Sequence, residues 1–130
     1  MTDKQILVVE DDAEVAATYK SLLEQKGCKV QLVSNGAAAL KYLANKDVDA
    51  VLCDFSMPVL EGDLFYSSLE RTKPHLCERF IFVTGMAENP KYQPFINKNK
   101  GRVLFKPVTV EQLARALEGL PGWGPQAPTQ

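Results

Sequence analysis

Long apolar runs are missing from this sequence, and none approaches the ~20 residues that a membrane-spanning helix needs. The start, Met1-Thr2-Asp3-Lys4-Gln5, lacks the basic-then-apolar pattern of a secretory leader. Neither sign of charge is in excess, with 15 Lys+Arg against 16 Asp+Glu and a net charge of −1. Such a balance provides no electrostatic footprint for DNA, RNA or an anionic membrane. Cysteine is scarce: Cys28, Cys53 and Cys77 are odd in number and widely spaced, so they form neither a CxxC pair nor a disulfide framework. The single histidine, His75, lies in a Pro74-His75-Leu76 loop with no Cys or carboxylate at ligand spacing and reads as surface or core filler. What is left is one cytoplasmic domain of 130 residues. Domains most often hold roughly 100–150 residues, enough to fold without disulfides or structural zinc.

What the chain does have is an alternation repeated five times. Gln5 to Val9 is a continuous aliphatic run too short for a helix, the pattern of a strand buried on both faces of a parallel sheet. Residues 12–26 carry Val15, Tyr19, Leu22 and Leu23 at helical spacing, and Gly27 provides a stop. Lys29 to Val33 reads as a second strand, and residues 35–45 as an Ala-rich helix with Ala37, Leu40 and Ala44 on one face. Residues 49–53 form a third buried strand ending at Asp54, followed by a loop through Met57-Pro58 and a helix carrying Leu64, Phe65, Ser68 and Leu69. Residues 79–83 and 102–105 complete five strands. Pro90 and Pro94 make any helix between them short or irregular. Thr109 caps a last helix with Val110, Leu113, Ala114 and Leu117 on one face, and a Pro/Gly-rich tail is expected over residues 120–130. Regular β-α alternation implies a five-stranded parallel sheet with helices on both faces, a flavodoxin-like α/β fold.

In such sheets the site lies at the carboxyl ends of the strands. Strand one ends in Glu10-Asp11-Asp12, strand three in Asp54, strand four in Thr84 and strand five in Lys106-Pro107. The topology therefore brings to one sheet edge residues that run from position 10 to position 106. Three carboxylates together are costly unless a cation joins them. Mg²⁺ suits the need, since it takes oxygen ligands in an octahedron and keeps several waters. Glu10, Asp11 and Asp54, with the main-chain carbonyl of Ser56 just after strand three, are the candidate ligands. A carboxylate at Asp54 can also attack a phosphoryl group. Lys106, the Thr84 hydroxyl and Mg²⁺ would then neutralise the phosphoryl oxygens.

The motifs Ile6-Leu7-Val8-Val9-Glu10-Asp11-Asp12, Asp54-Phe55-Ser56-Met57-Pro58 with Gly62 eight residues on, Val83-Thr84-Gly85 and Phe105-Lys106-Pro107 occur in order. With them the sequence resembles a CheY-like receiver domain of a two-component response regulator, from about residue 4 to residue 119. The resemblance implies a regulatory phosphoacceptor rather than an enzyme. Asp54 would take a phosphoryl group from a phosphohistidine on a histidine kinase or histidine phosphotransfer protein. Asp11 would bind Mg²⁺ directly, Glu10 through water and Ser56 through its carbonyl. Lys106 would pair with Asp54 or its phosphoryl group, with a cis bond to Pro107, and Thr84 would move toward the phosphoryl group as a switch. Output is expected to be protein–protein, as a relay step, a sink for phosphate, or docking on a target through the face around strand five and the last helix, from a monomer or weak dimer.

Two features depart from the family pattern. Val103 stands where many receivers have an aromatic residue three places before the Lys, so aromatic gating from that position is lost. Pro90 and Pro94 interrupt the segment that usually forms the fourth helix. Thr84-Gly85 and the Asn97-Lys98-Asn99-Lys100-Gly101 approach to strand five resemble receivers attached to hybrid sensor kinases, which implies a relay role. Met86, two places after Thr84, is expected to slow loss of the phosphoryl group. Two rival readings differ in chemistry. A pseudo-receiver would bind partners without phosphorylation, and a small Mg²⁺-dependent phosphohydrolase would turn over esters at Asp54.

Overall fold

The aliphatic runs become the strands of one sheet. In the computed structural model, which describes residues 4–54, 62–85, 94, 97 and 102–123, the strands are β1 (Gln5–Val9), β2 (Lys29–Val33), β3 (Ala50–Asp54), β4 (Phe80–Thr84) and β5 (Val103–Phe105). All pairings are parallel and the order is β2-β1-β3-β4-β5. Successive residues alternate between two cores. Leu7, Val9, Val51, Cys53, Phe80 and Phe82 face one, and Ile6, Val8, Ala50, Leu52, Ile81 and Val83 face the other. Because both faces are covered, the central strands are continuous hydrophobic runs rather than alternating ones.

The helices divide between the two faces. Helix α1 (Ala13–Gln25) places Tyr19 and Leu23 in the second core, as the final helix α5 (Val110–Glu118) does with Leu113 and Leu117. Helix α2 (Gly36–Asn45) places Ala39 and Leu43 in the first core, and α3 (Gly62–Thr72) adds Phe65, Tyr66 and Leu69. Each cap is local chemistry. The Asp12 carboxylate accepts from the Glu14 and Val15 amides, the Asn35 side chain accepts from the Ala38 amide, and Thr109 forms a reciprocal capping box with Gln112. Gly27, at φ +89°, ends α1 in the left-handed conformation that glycine adopts without penalty.

Three details differ from the sequence expectations. The buried stripe of α2 is Gly36, Ala39 and Leu43, while Ala37 and Ala44 are exposed and Leu40 is half-buried. An alanine-rich helix has apolar residues all round, so periodicity does not single out one face. The Pro74-His75-Leu76 stretch, read as loop, is a four-residue helical turn, α4 (Pro74–Cys77), with proline at its first position. It buries Leu76 and Cys77 and leaves His75 exposed beside Asp47 at 3.3 Å. The chain also does not leave the domain at residue 120. Leu120 and Trp123 are buried in the second core, and the Trp123 indole N–H donates to the Asp49 carbonyl at 3.2 Å. Lys4 lies 5.6 Å over the Trp123 ring. The stretch from Ala87 to Lys100 lies outside the described residues, except for Pro94 and Asn97, which are helical and exposed.

Candidate functional site

The strand order reverses between β1 and β3. From β1 the chain crosses to β2 on one side and later returns to β3 on the other, which opens a crevice at the carboxyl ends of these two strands. Glu10 follows the last residue of β1, and its amide bonds to the Val33 carbonyl of β2. Asp54 ends β3 and pairs in register with Val83, while Thr84 pairs with Phe105. The Lys106 amide then donates to the Thr84 carbonyl at 2.9 Å, which ties β5's exit to β4's last residue. The Lys106-Pro107 bond is cis, as the resemblance implies.

Side-chain geometry brings together four of the six predicted site residues, Glu10, Asp11, Asp54 and Lys106, and backbone register places a fifth, Thr84, at the end of the adjoining strand. Carboxylate oxygens of Glu10, Asp11 and Asp54 lie within 4.8 Å of one another. The Lys106 ammonium is 3.1 Å from Asp54 Oδ2 and 3.8 Å from Glu10 Oε1. Glu10, Asp54 and Thr84 are buried at 3%, 7% and 1% exposure, whereas Asp11 faces solvent. Ser56, the sixth, and Met86 lie outside the described residues. Asp12, the third acid of the run, is diverted to capping α1, and its amide donates to Glu10 Oε2 at 3.2 Å.

The electrostatics are those of an acidic pocket with too little positive charge. Burial pushes the Glu10 carboxyl up to about 8, aided by the adjoining Asp11 and Asp54 carboxyls and opposed by the Asp12 amide. Glu10 Oε1 is buried and accepts no hydrogen bond among the described residues. Partial burial alone would lower Lys106, but its hydrogen bond to Asp54 and the charges of Asp54 and Glu10 more than offset this and raise it. A buried, under-neutralised oxygen set of this kind suits a hard divalent cation. One neighbour escaped the sequence reading. Tyr19, assigned there only to the apolar stripe of α1, is raised chiefly by burial and also feels Lys106, Glu10 and Asp54. Its phenol is the single polar group on that stripe. Cys53, next to the cluster, is fully buried and its thiol contacts the Asp54 carbonyl at 3.2 Å, in keeping with a core residue.

A doubly covered 2-1-3-4-5 parallel sheet with an acid cluster and a lysine at its switch point defines a flavodoxin-like α/β domain built for handling charge at one edge. Residues 6–118 match the family model described as response regulator receiver domain, and the chain belongs to that family. It is 30% identical over 115 residues to the sensor kinase CckA of Brucella abortus, covering 87% of this chain and 12% of the kinase. It is 27% identical over 120 residues to the probable chemotaxis protein CheY of Rhizobium etli, covering 91% of this chain and 92% of that protein. Among solved structures it is similar to the receiver domain of the sensor histidine kinase PA1611 from Pseudomonas aeruginosa PAO1, with TM-score 0.79, 24% identity, and 90% and 96% of the two chains covered. That structure is described with a magnesium ion coordinated in the active site cleft. Receiver domains are regulatory phosphoacceptor modules of two-component systems that work with histidine kinases or phosphotransfer proteins. Among the described residues, no helix is long and apolar enough to cross a membrane.

Proposed function

We propose that this receiver domain accepts a phosphoryl group on Asp54 from a phosphohistidine of a histidine kinase or phosphotransfer protein, and signals through protein–protein contacts. The observation that carries the reading is the buried Asp54 carboxylate held 3.1 Å from the Lys106 ammonium beside Glu10 and Asp11. In the transfer, an Asp54 oxygen forms the new bond to phosphorus, the phosphorus–nitrogen bond to the donor imidazole breaks, and that nitrogen departs with its electron pair. Lys106 neutralises charge on the acceptor and on the incoming oxygens. The Thr84 hydroxyl, at the end of the adjacent strand, donates to a phosphoryl oxygen and draws its loop inward. Glu10 and Asp11, with the Ser56 carbonyl, would hold Mg²⁺, which supplies charge stabilisation for the transferring group. The orphaned Glu10 oxygen and the surplus of carboxylates support that assignment.

Intact-mass spectrometry after incubation with acetyl phosphate tests the reading, comparing wild type with Asp54→Ala, with and without Mg²⁺. A phosphoryl adduct that needs both Asp54 and Mg²⁺ is expected. A protein that binds Mg²⁺ yet takes no phosphoryl group from acetyl phosphate or from a phosphorylated histidine phosphotransfer protein is instead a pseudo-receiver.

A further inference from the structure

Helices α2 and α3 lie side by side on the first core and leave a groove of about 480 Å³ between them. That volume falls within the roughly 300–1,000 Å³ range of ligand-binding clefts. Its floor is aliphatic: Leu40, Leu43, Ala44 and Leu69. Its rim is Ser68, Arg71, Thr72 and Lys73, with no carboxylate among the lining residues. The two hydroxyls are committed as donors, Ser68 to the Leu64 carbonyl and Thr72 to the Ser68 carbonyl, each at 3.0 Å. The donors left facing the groove are therefore cationic. Lys73 is held in place by a bond to the Lys46 carbonyl at 3.1 Å and lies within the field of Asp47. Asp47, just beyond α2, is engaged by His75 at 3.3 Å, and Glu70 stands on α3 outside the lining.

We propose that this groove docks an acidic amphipathic helix of a partner protein. Leucine-like side chains would enter the aliphatic floor, and flanking carboxylates would pair with Arg71 and Lys73. Position makes the contact independent of phosphotransfer. Helix α2 runs from the carboxyl end of β2 back to the start of β3, and α3 runs in the same sense toward β4. The later halves of both helices, which carry Ala44 and Arg71, and Lys73 just beyond α3 therefore lie toward the strands' amino ends, away from Asp54. A partner seated there holds the domain while its acidic edge stays open to a donor.

The test uses a fluorescein-labelled synthetic helix with Leu at i, i+3, i+4 and i+7 flanked by Glu, and its counterpart with Lys for Glu. Binding is read by anisotropy and by amide NMR shifts. The acidic helix is expected to bind, to shift Leu40, Ala44, Leu69 and Arg71, and to weaken with salt. Arg71→Glu should reduce its affinity about tenfold through charge reversal. Ala44→Arg, at an exposed position, should block it by filling the groove without disturbing the fold. Both variants should label at Asp54 as wild type does. Equal binding of the Lys helix, shifts centred on Phe105 and Val110, or undiminished binding in both variants would overturn the proposal. So would self-association of the free domain that Arg71→Glu abolishes, which would make a second copy the occupant.

Discussion

Glu10 is a carboxylate that burial and the adjoining Asp11 and Asp54 carboxyls hold toward its protonated form, against the Asp12 amide and the Lys106 ammonium 3.8 Å away. Its folded value of about 8 lies above the ordinary 4.5, so between those values the native state holds a proton that the unfolded chain has released. The metal-free domain is therefore expected to lose stability as pH rises from about 4.5 to about 8. Urea unfolding at pH 5 and pH 8 in EDTA measures this, and saturating Mg²⁺ should remove the loss because it favours the ionised form. Glu10→Gln should flatten the dependence without metal. Lys106→Ala removes the ammonium 3.1 Å from Asp54. It is expected to leave Mg²⁺ affinity intact or tighter by calorimetry while lowering the rate of phosphoryl labelling by at least about tenfold, since the lost charge acts on the transferring oxygens. The sequence already held these residues in recognisable motifs. That the Tyr19 phenol would sit within the field of the site was not legible there, because it depends on how α1 packs against the sheet.

At the scale of the element, α2 separates pattern from packing. Ala37, Ala38, Ala39, Leu40, Leu43 and Ala44 make several apolar faces, and only contact with β1 and α3 selects Ala39 and Leu43. Leu43→Ala should cost about 2–5 kcal/mol in denaturant unfolding, as for other buried leucines. Ala37→Gln, on the exposed side, should stay within about 0.5 kcal/mol. The opposite result would restore the face expected from periodicity. Where a side chain has one dominant local role, the element was legible in advance. Thr109 caps α5 as expected, with Gln112 completing the capping box, and Thr109→Ala should cost about 1 kcal/mol.

For the whole molecule, the notable element is the turn after α5. Trp123 is 5% exposed, packs with Leu120 in the core shared by α1 and α5, and bonds to Asp49 at the start of β3. Asp49 in turn accepts from the Gln5 amide at 2.8 Å. Residues 120–123 thus brace the sheet's amino-terminal edge, opposite the acidic site. Trp123→Ala, or truncation after Gly119, should lower stability by about 3–5 kcal/mol. Phosphoryl labelling at low temperature should persist, because the site lies at the other end of the strands.

By itself the sequence determined the doubly covered parallel sheet and the strand ends at which Glu10, Asp54, Thr84 and Lys106 would meet. Aliphatic runs, caps and stops are local properties, and right-handed parallel crossovers leave few ways to join them. Tertiary structure decided what local pattern leaves degenerate. It chose which face of an alanine-rich helix is buried, turned a Pro/Gly-flanked tryptophan inward, and opened a basic-rimmed groove between α2 and α3. Each of these depends on surfaces contributed by distant segments, whose shape exists only once the chain has folded.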